Sequence, residues 1–109
     1  MAETYKVLGQ VAPASASAVS LYTVPSSTQT VISTITICNR GNVDGTYRTS
    51  IRPSGAAEAA QHYIAYDSIC LANSTVALTL GITLGATDII TVYASSASFT
   101  FGAFGAELT

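Results

Sequence analysis

Apolar and polar residues alternate in short runs along this chain, a pattern typical of β-strands. Two sets of positions alternate in the strongest run, residues 28–39: Val31, Ile35 and Ile37 share one parity, and Thr34, Thr36 and Cys38 share the other. Because successive side chains of a strand point to opposite faces, this run predicts a half-buried strand with a hydroxyl-rich outer side. Ile35 and Ile37 are expected in the core.

Turn-forming residues separate this strand from its neighbours. The predicted strands cover residues 4–9, 18–24, 28–39, 46–52, 61–71, 76–84, 89–94 and 99–104, and Gly81 is expected to mark a bulge or a close backbone contact. We find no convincing helix, and residues 56–60 are expected to form a single helical turn. About eight short strands with this spacing predict an all-β fold, an antiparallel β-sandwich with Ig-like or jelly-roll connections.

The run at 46–52 places two arginines on one face. Tyr47, Thr49 and Ile51 share one parity, and Arg48, Ser50 and Arg52 share the other. Arg48 and Arg52 are two of the four basic residues, and a guanidinium can pair with a carboxylate through two parallel hydrogen bonds. Both are therefore candidate contacts to acidic groups of a partner. The alternative is an ordinary solvated face.

Aromatic and polar residues concentrate between positions 61 and 67. Tyr63 and Tyr66 lie beside Gln61 and His62 in this segment, and tyrosine is enriched in protein interfaces. Tyr63 and Tyr66 are therefore candidate contact residues. The alternative is that tyrosines here are ordinary strand composition.

The C-terminal run contains all three phenylalanines. Phe99 and Phe101 are two positions apart, so both side chains are expected to point into the core. Phe104 follows Gly102 with the opposite parity, which sends its ring outward unless a bulge reverses it. Phe104 is therefore a candidate interface residue, and the C-terminal strand a candidate contact with neighbouring subunits.

The composition indicates one domain with few charges. The 109 residues are 49% hydrophobic and 9% charged, and 28 of them are Ser or Thr. This apolar content suffices for one core, so we expect a single domain over residues 1–109. Soluble monomers usually carry more surface charge, so we expect a homo-oligomer, either a trimer or a subunit attached to a symmetric lattice.

Charge and hydropathy disfavour two classes of partner. A net charge of −2 with four basic residues cannot neutralise many phosphates, so direct nucleic-acid binding is not expected. No apolar run approaches the roughly 18 residues that span a bilayer, so no membrane partner is expected. The start of the sequence lacks the features of a secretory signal, which predicts synthesis in a cytoplasm.

The two cysteines are expected to be buried thiols. A reducing cytoplasm keeps Cys38 and Cys70 reduced, and free cysteine is among the most buried residue types. The alternative is a disulfide that forms after release from the cell.

No recognised catalytic or metal-binding pattern occurs in the sequence. His62 is the only imidazole, Asp67 follows it, and no Gly-x-Ser-x-Gly motif accompanies them. One histidine and two cysteines 32 residues apart match no metal-site spacing. The glycines form no phosphate-binding or dinucleotide-binding loop. We therefore expect a protein that is not an enzyme and that uses no cofactor or metal.

Five segments carry a resemblance to a known family: MAETYKVLGQ, LYTVP, ICNRG, IRPSGAAEAAQHYIAYD and ITLGATDIITVYASSASFTFGAFGAELT. In these segments and in its length the chain resembles small virion proteins of tailed bacteriophages, particularly phages of cyanobacteria and other marine bacteria. The resemblance runs nearly end to end and includes no catalytic signature. It implies a β-sandwich subunit that decorates or cements the capsid or belongs to the tail and its appendages.

Three functional hypotheses follow. The first is a virion structural protein, made in the cytoplasm of a bacterial host, whose partners are other virion proteins. The alternative is an adhesion module whose loops bind a glycan of the host surface, with residues 61–67 supplying aromatic, amide and carboxylate groups. A hydrolase that depends on His62 ranks last.

Overall fold

The computed structural model describes residues 2–109 and contains nine β-strands in this range. They are β1 (Glu3–Val11), β2 (Ser17–Thr23), β3 (Gln29–Asn39), β4 (Gly45–Arg52), β5 (Tyr63–Cys70), β6 (Thr75–Leu78), β7 (Ile82–Leu84), β8 (Ile89–Ala94) and β9 (Phe99–Leu108). The strands form two antiparallel sheets, so the predicted all-β sandwich is confirmed.

Each sheet combines strands from distant parts of the chain. The five-stranded sheet has the order β1-β9-β3-β6, with β7 also pairing with β3, and the four-stranded sheet has the order β2-β8-β4-β5. Strands β1 to β4 alternate between the two sheets, and so do the last two strands, β8 and β9. The chain therefore crosses repeatedly from one layer to the other.

The core lies between the sheets and is built from their inward-facing positions. Its fully buried members include Ile32, Ile35 and Ile37 of β3, Ile90 and Val92 of β8, and Phe99, Phe101 and Ala103 of β9. The predicted burial of Ile35, Ile37, Phe99 and Phe101 is confirmed. These side chains alternate with outward-facing threonines and small residues, as the period of a strand requires.

A bulge at Ser33 corrects one prediction for β3. The register with β9 runs from Ile32 opposite Gly105 to Thr34 opposite Phe104, which leaves Ser33 as an extra residue. An extra residue shifts the parity of the strand by one. Val31 is therefore 41% exposed on the outer face, and the prediction that it shares the core face of Ile35 is wrong.

The predicted strand at 76–84 is two strands. β6 ends at Leu78 and β7 begins at Ile82, and both pair with β3. Gly81 between them has φ of +66°, a left-handed conformation that interrupts the strand and that glycine adopts without strain. This break is why the sandwich has nine strands instead of about eight.

The predicted helical turn at 56–60 is absent from the structure. One short 3₁₀ turn, Pro53–Gly55, precedes this segment, and a second, Ala60–His62, begins at its last residue. Ser54 has φ of 53°, outside the right-handed helical region, and Ala59 is extended with φ of −140°. The alanines of residues 56–60 are therefore not sufficient to form a helix here. No helix in residues 2–109 has the length and apolarity to cross a membrane.

A polar network ties the two sheets together near the chain termini. Tyr22 of β2 donates its hydroxyl to Glu107 of β9 at 2.6 Å, and its oxygen lies 2.8 Å from the hydroxyl of Thr30. Lys6 of β1 lies 3.1 Å from the other oxygen of Glu107. Burial, followed by the bond to Glu107, raises the pKa of Tyr22 to about 12. Tyr22 thus stays neutral and links β2 to the opposite sheet.

Candidate functional site

Arg48 is the centre of a cluster on the outer face of the four-stranded sheet. Its Nε donates to Oδ1 of Asp67 at 2.7 Å and its Nη2 donates to Oδ2 at 3.3 Å. The β4–β5 register skips from Tyr47 opposite Ser68 to Thr49 opposite Ala65, so Asp67 lies in a bulge with φ of 50°. This bulge turns the carboxylate toward Arg48.

Two tyrosines flank the Arg48 guanidinium. Its central carbon lies 4.2 Å from the ring centroid of Tyr66 and 4.4 Å from that of Tyr93. Tyr93 is the residue of β8 directly opposite Arg48 of β4. A cation over an aromatic face is attracted by the negative charge of the ring face. The hydrogen bonds to Asp67 raise the pKa of Arg48, so the side chain stays charged. The carboxylate partner that the sequence suggested for Arg48 is supplied within the chain by Asp67.

Tyr63 and Tyr66 meet edge to face beside this cluster. Their ring centroids are 4.8 Å apart with an interplanar angle of 83°. Tyr63 donates its hydroxyl to Glu58 at 2.9 Å, and this bond raises the pKa of Tyr63. Both tyrosines, Glu58 and Ala59–Ala60 line an open groove. The structure therefore brings Arg48, Tyr63 and Tyr66 together.

Arg52 has a different environment from Arg48. Its Nε donates to the carbonyl oxygen of Ala56 at 2.7 Å, and its Nη2 donates to that of Gly55 at 3.2 Å. Its Nη1 donates to the hydroxyl of Thr91 at 3.1 Å. Arg52 thus holds the segment after β4 against the sheet, and Ser50 is fully buried beneath that segment with its hydroxyl on Glu58. A role of Arg52 toward a partner stays a prediction.

His62 and Asp67 each have a structural partner. Nδ1 of His62 accepts a hydrogen bond from the amide of Ala59 at 3.1 Å, and Asp67 pairs with Arg48. In the described range, 2–109, there is no group of three or more His, Cys, Asp or Glu side chains arranged to hold a metal ion.

Phe104 lies on the opposite side of the sandwich, on the outer face of the five-stranded sheet. The bulges fall on the strands beside β9, at Ser33 of β3 and at Leu8 of β1, so β9 itself keeps its alternation. Phe104 is therefore partly exposed, with the parity that its sequence position predicted. A Cβ at Gly102 would lie 3.1 Å from its ring carbons, so the ring folds back over Gly102.

The outer face of the five-stranded sheet is almost free of charge. The register assigns to it Glu3, Tyr5, Val7 and Gln10 of β1, Gln29, Val31, Thr34, Thr36 and Cys38 of β3, Thr75 and Ala77 of β6, Thr83 of β7, and Thr100, Gly102, Phe104, Ala106 and Leu108 of β9. Among these outward positions within residues 2–109, Glu3 is the only Asp, Glu, Lys or Arg.

Several large aromatic or apolar side chains on this face are exposed. Tyr5 is 77% exposed and Val7 is 52% exposed. Together with Val31 and Phe104 they form a band across β1, β9 and β3, which we call the apolar band. Phe104 separates two hollows. One is lined by Tyr5, Lys6, Val31 and Ala106, and the other by Gln10, Thr36 and Gly102.

Several residues of these surfaces are not predicted by the sequence patterns described above. Tyr5 and Val7 share a parity in β1, which is a signal that could have found them as a pair. Val31 could not be found, because its outward position depends on the Ser33 bulge. Tyr93 joins Arg48 only through the pairing of β4 with β8, which the sequence of either strand does not specify.

Both cysteines are free thiols, with different environments. Cys70 is fully buried, as predicted, and burial raises the pKa of its thiol. Cys38 is only partly buried, so the prediction of full burial is wrong for it. It has the parity of Thr34 and Thr36 on the outer face, because it follows the buried Ile37. Cys38 lies on the outer face of the five-stranded sheet, whereas Cys70, at the end of β5 in the other sheet, lies in the core.

Comparisons of the chain with protein-family models, with curated protein sequences and with solved structures gave no match.

Proposed function

We propose that this protein is a non-catalytic structural subunit of a tailed-bacteriophage virion, a capsid decoration or cement protein or a tail-appendage subunit. The observation that carries the proposal is the almost uncharged outer face of the five-stranded sheet with its apolar band. The buried centres of protein interfaces are depleted in charged residues and enriched in aromatic ones. A surface of this chemistry suits permanent cover by other proteins of a particle.

The strand order supports the proposal at the level of architecture. The orders β1-β9-β3-β6 and β2-β8-β4-β5 suit a jelly roll, which we propose for the connections. Double-sheet jelly rolls occur in viral capsid proteins and in lectins. Because one fold hosts many functions, the surface chemistry and the resemblance of the sequence to phage virion proteins carry the argument.

Particle association tests the proposal. An epitope-tagged chain is produced during infection by a phage that encodes it, and particles are purified by density gradient and probed for the tag. The expected result is a fixed copy number per particle and density for the subunit in cryo-electron microscopy. A tagged chain that is as depleted from the particles as an unrelated cytoplasmic protein would refute the proposal.

A second candidate function is a glycan-binding adhesion module. The groove between Tyr63, Tyr66 and Glu58 favours it, because sugar sites combine aromatic rings with carboxylates, and Tyr66 is 56% exposed. Binding to isolated host-surface polysaccharide, measured by calorimetry, should then be lost in Tyr66→Ala and retained in the matched Tyr5→Ala on the other sheet. No heat of binding for the unmodified chain would exclude this candidate.

A further inference from the structure

We infer that the outer face of the five-stranded sheet packs against the same face of a second copy of this chain, with Phe104 near the two-fold axis. The inference rests on the proposed function in one respect. Both concern the same surface, and the inference names the partner that covers it. It concerns the isolated chain, so it can be tested without a particle.

The dimensions of the face match a stable interface. Strand β3 has 11 residues, and at about 3.3 Å per residue it extends over roughly 36 Å. Four strands at about 4.8 Å spacing give a width of roughly 19 Å. The resulting area is about 700 Å², close to the roughly 800 Å² that each partner contributes to a standard interface.

Charge favours the same face over the opposite one as the partner. On the four-stranded sheet Arg48 and Asp67 are exposed at 26% and 47% of their side chains, so covering them would desolvate an ion pair. On the five-stranded sheet the nearest charged side chains both belong to the edge strand β1: Glu3 accepts a hydrogen bond from the hydroxyl of Tyr5, and Lys6 lines one hollow and pairs with Glu107. A second copy centred on β9 and β3 leaves both at the rim, so packing the same faces together desolvates less charge.

Hydroxyl groups make the face complementary to itself. Thr34 lies opposite Phe104, Thr36 is the next outward residue of β3, and Thr100 lies further along β9. A hydroxyl both donates and accepts hydrogen bonds, so identical rows of threonines can pair across a two-fold axis, whereas identical rows of carboxylates would repel each other. Two copies can therefore satisfy these groups mutually.

The shape of the face is also complementary to itself. Phe104 is a ridge between the two hollows described above. In a two-fold arrangement each ridge can enter a hollow of the other copy, as an isologous interface requires. Packed sheets approach to about 10 Å, a spacing that buries side chains of this size from both copies.

Sedimentation equilibrium of the purified chain tests the inference. We expect a species of twice the 11.2 kDa chain mass. Phe104→Ser and Thr36→Glu should each raise the dimer dissociation constant at least tenfold, the first by removing the ridge and the second by opposing like charges. An equimolar mixture of Thr36→Glu and Thr36→Lys should dimerise again. Ile69→Ser is the matched control, since Ile69 is 65% exposed on the other sheet.

The outcomes separate this inference from the proposed function. A chain that is monomeric at millimolar concentration, or a dimer that Ile69→Ser breaks while Phe104→Ser and Thr36→Glu leave it intact, overturns the inference. If such a monomer still occurs on particles, another virion protein covers the face and the proposed function stands. A dimer with the expected variant pattern that never joins particles supports the inference and refutes the proposed function. Circular dichroism of each variant verifies that it is folded.

Discussion

Single extra residues decide which side chains of this protein reach the core. Ser33 is one such residue: it moves Val31 to the surface while Ile35 and Ile37 stay buried. The bulge at Asp67 shapes the outer face of the other sheet, because it places a carboxylate against Arg48. At the scale of the residue, local departures from regular strand geometry shape both outer faces.

Gly9 is a residue at which a side chain has no room. A Cβ there would collide with the backbone carbonyl oxygen of Leu21, where β1 passes β2. We expect Gly9→Ala to cost about 1 to 3 kcal/mol or more, because the obstacle is backbone and cannot rotate away. Urea denaturation measures the loss, with Gly85→Ala as control, since its nearest neighbour would be 3.8 Å away. Equal stability of the two variants would contradict the close approach of β1 and β2.

Glu107 should make stability depend on pH in the acid range. The hydrogen bond from Tyr22, aided by Lys6, holds the pKa of Glu107 below 4.5. The unfolded chain therefore takes up the proton first, and the stabilisation present above about pH 4.5 is lost as the pH falls through the lower folded value. In urea melts from pH 6 to pH 3, Glu107→Gln should lose less stability than the parent chain. Tyr22→Phe should show the same flattening, and parallel curves for all three proteins would refute this role.

Strands β3 and β9 show how elements with two distinct faces organise the sandwich. Each is an interior strand of the five-stranded sheet, with the core on one side and the almost uncharged outer face on the other. The inner positions carry isoleucine and phenylalanine, and the outer ones mainly threonine and small residues. The same two strands thus provide stability and the proposed contact surface.

The two faces of β3 should respond differently to truncation. Ile35→Ala or Ile37→Ala should cost on the order of 2 to 5 kcal/mol, because each side chain is fully buried and its removal leaves a cavity. Thr34→Ala and Thr36→Ala, on the outer face, should cost much less. Chemical denaturation of the four variants, at concentrations too low for dimerisation, makes the comparison. Equal losses on both faces would mean that the outer face is packed against other parts of the same chain.

The phenylalanines of β9 should divide in the same way. Phe101 is 2% exposed, and Phe101→Ser leaves a large cavity and a buried hydroxyl, so the variant should not fold stably. Phe104→Ser should leave the thermal midpoint of the monomer nearly unchanged, because the ring lies on the surface over Gly102. Thermal melts at concentrations too low for association test this. A melted Phe104→Ser variant would place Phe104 in the core.

The whole molecule should unfold as one unit. Because the first four strands alternate between the sheets, no continuous segment of the chain forms either sheet by itself. We therefore expect one transition, which also tests the predicted single domain. Far-ultraviolet circular dichroism reports the strands, and tyrosine fluorescence reports packing without interference, since the chain has six Tyr and no Trp. Two separate transitions would show that the sheets are independent.

The sequence by itself determined the all-β class, the positions of most strands and the core residues Ile35, Ile37, Phe99 and Phe101. It could do so because strand alternation is a local property of the backbone. It also predicted that Phe104 faces outward unless a bulge reverses it, and the structure confirms the outward position because β9 has no bulge.

Only the tertiary structure decided the sheet order, the bulge that exposes Val31, and the pairing of Arg48 with Asp67 and Tyr93. It also assembled the almost uncharged outer face from strands far apart in the chain. The physical reason is that bulges and strand partners depend on how one strand fits against another, and the alternation within a single strand does not carry that information.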